Sequence, residues 1–215
     1  MIYFQPSHLE AVREFRITSG LPVSDKPIML SKAAIDHHAS LIHEEVDEFN
    51  QATDLIGKLD AVIDCYYFAI GMLIHAGKPH WESEEFRAIS MLMNRYYTWI
   101  QTTFDSLVPD ALNASLIFDQ LFNHVHNSNM SKFSKSEAEA LIAVDKYFQQ
   151  GKEVRAVKVN DLWVLKHYNG EQTKVLKGIN FTPPEFEIEK TLRAYGLLQE
   201  NLPLEAAKIT DDEQP

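Results

Sequence analysis

The chain has one cysteine, Cys65, in 215 residues, which excludes an internal disulfide framework and fits a reducing cytoplasm. Basic residues are scarce, 20 against 31 acidic, for a formal charge of −11. A nucleic-acid polymer is therefore a disfavoured partner, since duplex binders carry a basic face. An anionic nucleotide stays open to it through metal ions or a local basic pocket. A long hydrophobic run is also missing. The most apolar stretch, Ala61 to Gly77, is interrupted by Asp64 and His75 and is too short to span a bilayer, so no membrane is expected. Met1 to Pro6 lacks the charged-then-apolar order of a signal peptide. There is no internal repeat or low-complexity tract. No acidic residue has His three positions later, which removes the main support for a carboxylate-bridged di-iron bundle built on Glu-x-x-His.

What is present reads as an ordinary globular chain, 45% hydrophobic and 24% charged, forming one domain or one core domain with an appendage. Helical periodicity dominates the first two thirds. Ser7 is the expected cap of a helix ending at Gly20, with Leu9, Val12, Phe15 and the Arg16 stem inward. Leu21 to Leu30 is a connector. Ser31 caps a second helix through Ala52, and Asp54 a third from Leu55 to Ala76, apolar nearly all round and hence central. Further helices are expected at Glu82–Leu107, Ala111–Asn127 and Ser136–Gln150. Val154–Val159 and Leu162–His167 flank Asn160-Asp161, a hairpin signal. Lys174 to Pro184 reads as a basic loop, Glu185 to Leu198 as a short helix, and Lys208 to Pro215 as a disordered acidic tail. The expected division is 1–150 as helical core, 151–184 as hairpin and basic loop, and 185–215 as short helix and tail.

Two acidic clusters stand out: Glu44-Glu45-x-x-Glu48 on the second helix and Asp60-x-x-x-Asp64 on the third. Acids in an apolar helix are costly to bury without something positive between them. At about 100° per residue, Glu45 and Glu48 lie roughly 60° apart, and Asp60 and Asp64 roughly 40°. About Asp54 as turn centre, Glu48 mirrors Asp60 and Glu44 mirrors Asp64. A short connection makes the helices antiparallel neighbours, so the acids face in two layers, roughly 9 and 15 Å from the turn. All-oxygen ligation suits Mg2+ or Mn2+. Glu44, Asp47 and Glu48 taken singly also fit a solvated helix face. Asp60 and Asp64 do not, because Leu59, Val62, Ile63, Tyr66, Tyr67 and Phe68 surround them. His37, His38 and His43 read as surface or supporting groups, Tyr66, Tyr67 and Phe68 as core, and Trp163 as packing the hairpin onto the helices.

With Leu41-Ile42-His43-Glu44-Glu45, Asp60-x-x-x-Asp64-x-x-Tyr67, Asn127-Ser128-Asn129-Met130-Ser131-Lys132 and Lys177-Gly178-Ile179-Asn180-Phe181-x-Pro183-Pro184, the chain resembles the all-α nucleoside triphosphate pyrophosphohydrolases. These include MazG-like, phosphoribosyl-ATP pyrophosphohydrolase-like and dimeric dUTPase-like proteins, the last often phage-borne and the branch most similar. Their second motif is usually Glu-x-x-Asp, whereas here the partner acid sits four before Asp64. The stretch near 82–110 and the hairpin look like insertions. The resemblance implies a mainly α, antiparallel helical bundle with a small β-hairpin near the C-terminus. It implies hydrolysis of a triphosphate such as dUTP or a noncanonical nucleotide to monophosphate and pyrophosphate. Glu45, Glu48, Asp60 and Asp64 would hold Mg2+ (or Mn2+), and Glu44 would orient or deprotonate the water. Asn129 would meet a base edge, Lys132 and Lys177 would bind phosphate, and Asn180 would complete the substrate contacts. A homodimer or homotetramer is implied as well. The alternative is a non-catalytic nucleotide-binding or regulatory helical protein.

Overall fold

Four short polar side chains start four of the helices. In the computed structural model, which describes residues 5–77, 83–109, 112–169 and 172–198, Ser31, Asp54, Ser83 and Ser136 accept from Ala34, Gly57, Phe86 and Glu139 backbone N–H groups. Each satisfies a donor that the first helical turn leaves open. The described elements are α1 (Pro6–Thr18), α2 (Lys32–Gln51), α3 (Leu55–His75), α4 (Glu84–Leu107), α5 (Ala114–Met130), α6 (Glu137–Gln149), β1 (Val154–Val159), β2 (Leu162–Asn169), β3 (Gln172–Leu176) and α7 (Glu185–Ala194). The fold is mainly helical with a small antiparallel sheet. No described helix is long and apolar enough to cross a membrane.

Helix α3 is the axis of the molecule: twelve of its residues are buried, and α1, α2, α4, α5 and α7 all pack on it. Its apolar circumference is what allows five partners. Tyr66 is fully buried, with Phe118 and Phe122 edge-on to its ring. Tyr67 is also core. Cys65 is buried and lies 3.7 Å from the Ile42 carbonyl oxygen, across the α2–α3 seam. The connector from α1 is tied to the end of α3, Ser24 N–H donating to Ile74 O and Ile28 N–H to Ala76 O. Gly77 follows with φ +76°, and a Cβ there would lie 2.1 Å from Lys26 O, so only glycine fits.

Several expectations change. Helix α1 starts at Pro6 behind Gln5 with no side-chain cap, so Ser7 is inside the helix; proline suits that first position because its missing N–H would be unpaired anyway. Helix α5 runs three residues past Asn127. The Asn-Ser-Asn run reads as a stop, but Ser128 and Asn129 are buried there, and tertiary partners outweigh their weak helix preference. The start expected at Ala111 and the tail Lys208–Pro215 lie outside the described residues. The basic loop begins as a third strand, β3 pairing antiparallel with β2 in the order β1-β2-β3. Asn160 takes the left-handed φ of 54° that a two-residue hairpin turn requires. Ala140, Ala143, Val154 and Leu165 form a second small core between α6 and the sheet, against which Trp163 packs. His38 is buried rather than on the surface, its Nε2 3.1 Å from His75 Nδ1.

Candidate active site

The α2–α3 hairpin brings its acids together at the end near Asp54, and three later pieces of chain close over them. A pocket of about 270 Å³ is lined by Glu45, Glu48, Asp60 and Asp64, by Val125, Ser128, Asn129 and Lys132 around the end of α5, and by Lys177, Phe181, Pro183, Pro184 and Glu185. The loop after β3 is pinned at two points: Gly178 N–H donates to Lys132 O at 3.0 Å and Thr182 N–H to Ser131 Oγ at 2.9 Å. Gly178 has to be small, since a Cβ would come within 2.8 Å of Lys132 O.

Proton affinities show how crowded the negative charge is. Burial, then Asp64, Glu48 and Asp60, push Glu45 up to about 9. Burial, then Asp64, Glu185 and Glu48, push Asp60 up to about 8. Asp64 rises by burial only to about 6, because Lys132, a hydrogen bond from Asn129 and Lys177 favour its charged form. Asp60 Oδ1 is buried without a hydrogen-bond partner. Five carboxylates face two lysines in this pocket. An orphaned buried oxygen and an all-oxygen donor set fit a hard divalent cation such as Mg2+ or Mn2+. Among the described residues no three His, Cys, Asp and Glu side chains are drawn together closely enough to hold a metal ion.

Some expected site residues meet here and others do not. Glu45, Glu48, Asp60, Asp64, Asn129, Lys132 and Lys177 line the pocket; Glu44 and Asn180 do not. Glu44 is exposed. Glu45, one residue or about 100° round the helix, takes the place opposite Asp64 that the mirrored spacing about Asp54 assigned to Glu44. Asn129 engages both ends of its amide, Oδ1 accepting from Lys132 Nζ at 2.5 Å while the other end donates to Asp64. It therefore links these two side chains. Asn180 borders a separate groove, with Asn127, Met130, Ser131, Phe133 and Leu162, on the face of α5 opposite Asn129. Lys177 Nζ sits 4.3 Å from the Phe181 ring centroid, a cation–π contact that fixes its direction. Sequence reasoning missed Glu185: Pro-Pro followed by an acid marks the start of a helix, but nothing in the sequence places that start at the pocket.

Residues 12–84 match the phosphoribosyl-ATP pyrophosphohydrolase family. The similarity covers about a third of the chain. It takes in most of α1 with α2 and α3, hence all four acids of the hairpin, and stops where α4 begins. The lysines, Asn129 and Glu185 lie outside the pyrophosphohydrolase-like segment. No curated protein and no solved structure matches the chain.

Proposed function

We propose that this protein hydrolyses a nucleoside triphosphate, dUTP or a noncanonical nucleotide, to the monophosphate and pyrophosphate, with Mg2+ or Mn2+ held by Glu45, Glu48, Asp60 and Asp64. The observation that carries this reading is the meeting of the hairpin acids with Lys132 and Lys177 in one pocket, together with a match to a family that cleaves a phosphoanhydride bond. A divalent cation held by these carboxylates would neutralise charge on the polyphosphate and polarise the phosphorus under attack. The lysines bind and orient phosphate oxygens from the opposite wall. At about 270 Å³ the pocket is at the small end for ligand sites, which suits a polyphosphate with the nucleoside outside it. Glu44 is exposed and does not line the pocket, so a carboxylate inside it is the better placed acceptor for the proton of the attacking water.

Pyrophosphate release from a panel of nucleotides, with and without Mg2+, tests the reading. Glu48→Ala and Asp64→Ala are expected to abolish turnover, and Glu44→Ala to retain most of it. Full activity in both pocket variants overturns the assignment. The spacing of the second acidic pair, with Asp60 four rather than three residues before Asp64, favours a second reading, a nucleotide binder without chemistry. Thermal stabilisation by a nucleotide that is never cleaved would identify it.

A further inference from the structure

Helix α7 lies outside the family match, yet its first residue reaches the acidic pocket. Glu185 lines the pocket beside Pro183 and Pro184, and after Asp64 it is the acid that acts most strongly on Asp60, ahead of Glu48. That approach is built, not incidental. Ile188, Thr191 and Leu192 bury one face of α7, and α7 packs on both α3 and α5. His124 Nε2 lies 2.8 Å from Thr191 Oγ1, and Gln120 Nε2 donates to Tyr195 Oη at 3.2 Å. The loop leading into α7 is held by its bonds to Ser131 and Lys132. The fold thus brings the two carboxylates to one pocket and leaves Asp60 Oδ1 buried with no hydrogen-bond partner. Lys132 alone among the charges acting on Asp60 is attractive, and it already binds Asn129.

We propose that Glu185 is a further carboxylate ligand of the divalent cation, paired with Asp60, so that α7 closes onto the metal. The inference rests on the metal-dependent reading above and adds a ligand from the other end of the chain. Asp60 sits one turn before Asp64, displaced about 40° around α3. Glu48 from α2 and Glu185 from α7 line the same pocket and both act on it. A cation between them would connect the α2–α3 hairpin to the C-terminal helix.

Mn2+ is the probe, its binding to the full chain followed by electron paramagnetic resonance and by amide hydrogen exchange of α7. Glu185→Gln should weaken Mn2+ binding by at least about tenfold, the lower end of what even an outer partner of a metal site is worth. Glu187→Gln, two residues on and outside the pocket, should bind as wild type does. In the wild type, Mn2+ should slow exchange across α7, an effect that needs no variant to fold; Glu185→Gln should lose it and Glu185→Asp should restore part of it. Wild-type affinity in Glu185→Gln, or α7 exchange indifferent to Mn2+, overturns the proposal. If the wild type still releases pyrophosphate in that case, Glu185 alone falls. A wild type that neither binds Mn2+ nor cleaves nucleotide takes the metal reading with it.

Discussion

Single side chains set the conditions under which this pocket can take a cation. Burial and mutual repulsion raise Glu45 to about 9 and Asp60 to about 8, so both hold protons at pH 7 that a cation held by them, as proposed, would have to displace. The sign is fixed: a raised carboxyl pKa means the ligand form grows as pH rises, so Mg2+ affinity should increase from about pH 6 to about pH 9. Calorimetry at pH 7 in two buffers of different ionisation enthalpy should register proton release. Affinity that stays flat with pH and no proton release would rule this out. The acids were legible in sequence because carboxylates at one-turn spacing in an apolar helix have few explanations. Which of Glu44 and Glu45 turns inward was not legible, because helical periodicity leaves the rotation of α2 about its own axis open. Glu185 was not legible as a site residue either, since 121 positions separate it from Asp64 and only packing of α7 on α3 and α5 joins them.

At the scale of elements, the loop between β3 and α7 positions the lysine wall of the pocket. Its bond from Gly178 N–H to Lys132 O places both lysines. Gly178→Ala would put a Cβ 2.8 Å from that carbonyl oxygen, forcing the strand end outward. The expected result is a raised KM with a smaller change in kcat, because substrate grip suffers before the acids do; a variant with wild-type kinetics would show that the loop does not position Lys177. Caps and breaks gave the helices away: Ser31, Asp54 and Gly20 stand where the chain changes direction. The end of α5 was misread because Asn and Ser favour helix ends only when solvent is the alternative, and here Asn129 has Asp64 and Lys132 instead. Strand β3 was missed because its apolar content is only Val175 and Leu176, too short a run for a period to show.

For the whole molecule, the core tolerates neutral imidazoles better than charged ones. Burial lowers His8 to about 4, and its Nδ1 lies 3.0 Å from Tyr66 Oη while its ring stacks on Phe122. Its 3.5 Å approach to Asp119 is an ion pair only if the ring is protonated. His38 is lowered to about 3 by burial and by Arg16, His75 and His37 around it. The unfolded chain binds these protons first, so stability is full above about pH 6.5 and falls as pH drops toward 4. For His8 the loss is on the order of 3 kcal/mol. Urea denaturation at pH 7.5 and 4.5 should show a smaller difference for His8→Phe than for the wild type; equal differences would remove His8 from the account. The order in which the pocket's residues leave the ribosome has a consequence of its own. Glu45 and Glu185, two walls of one pocket, are 140 positions apart, which translation covers in on the order of ten seconds. For nearly all of that interval the nascent chain carries the hairpin acids without both lysines, so the negative wall of the pocket exists well before its positive one is complete.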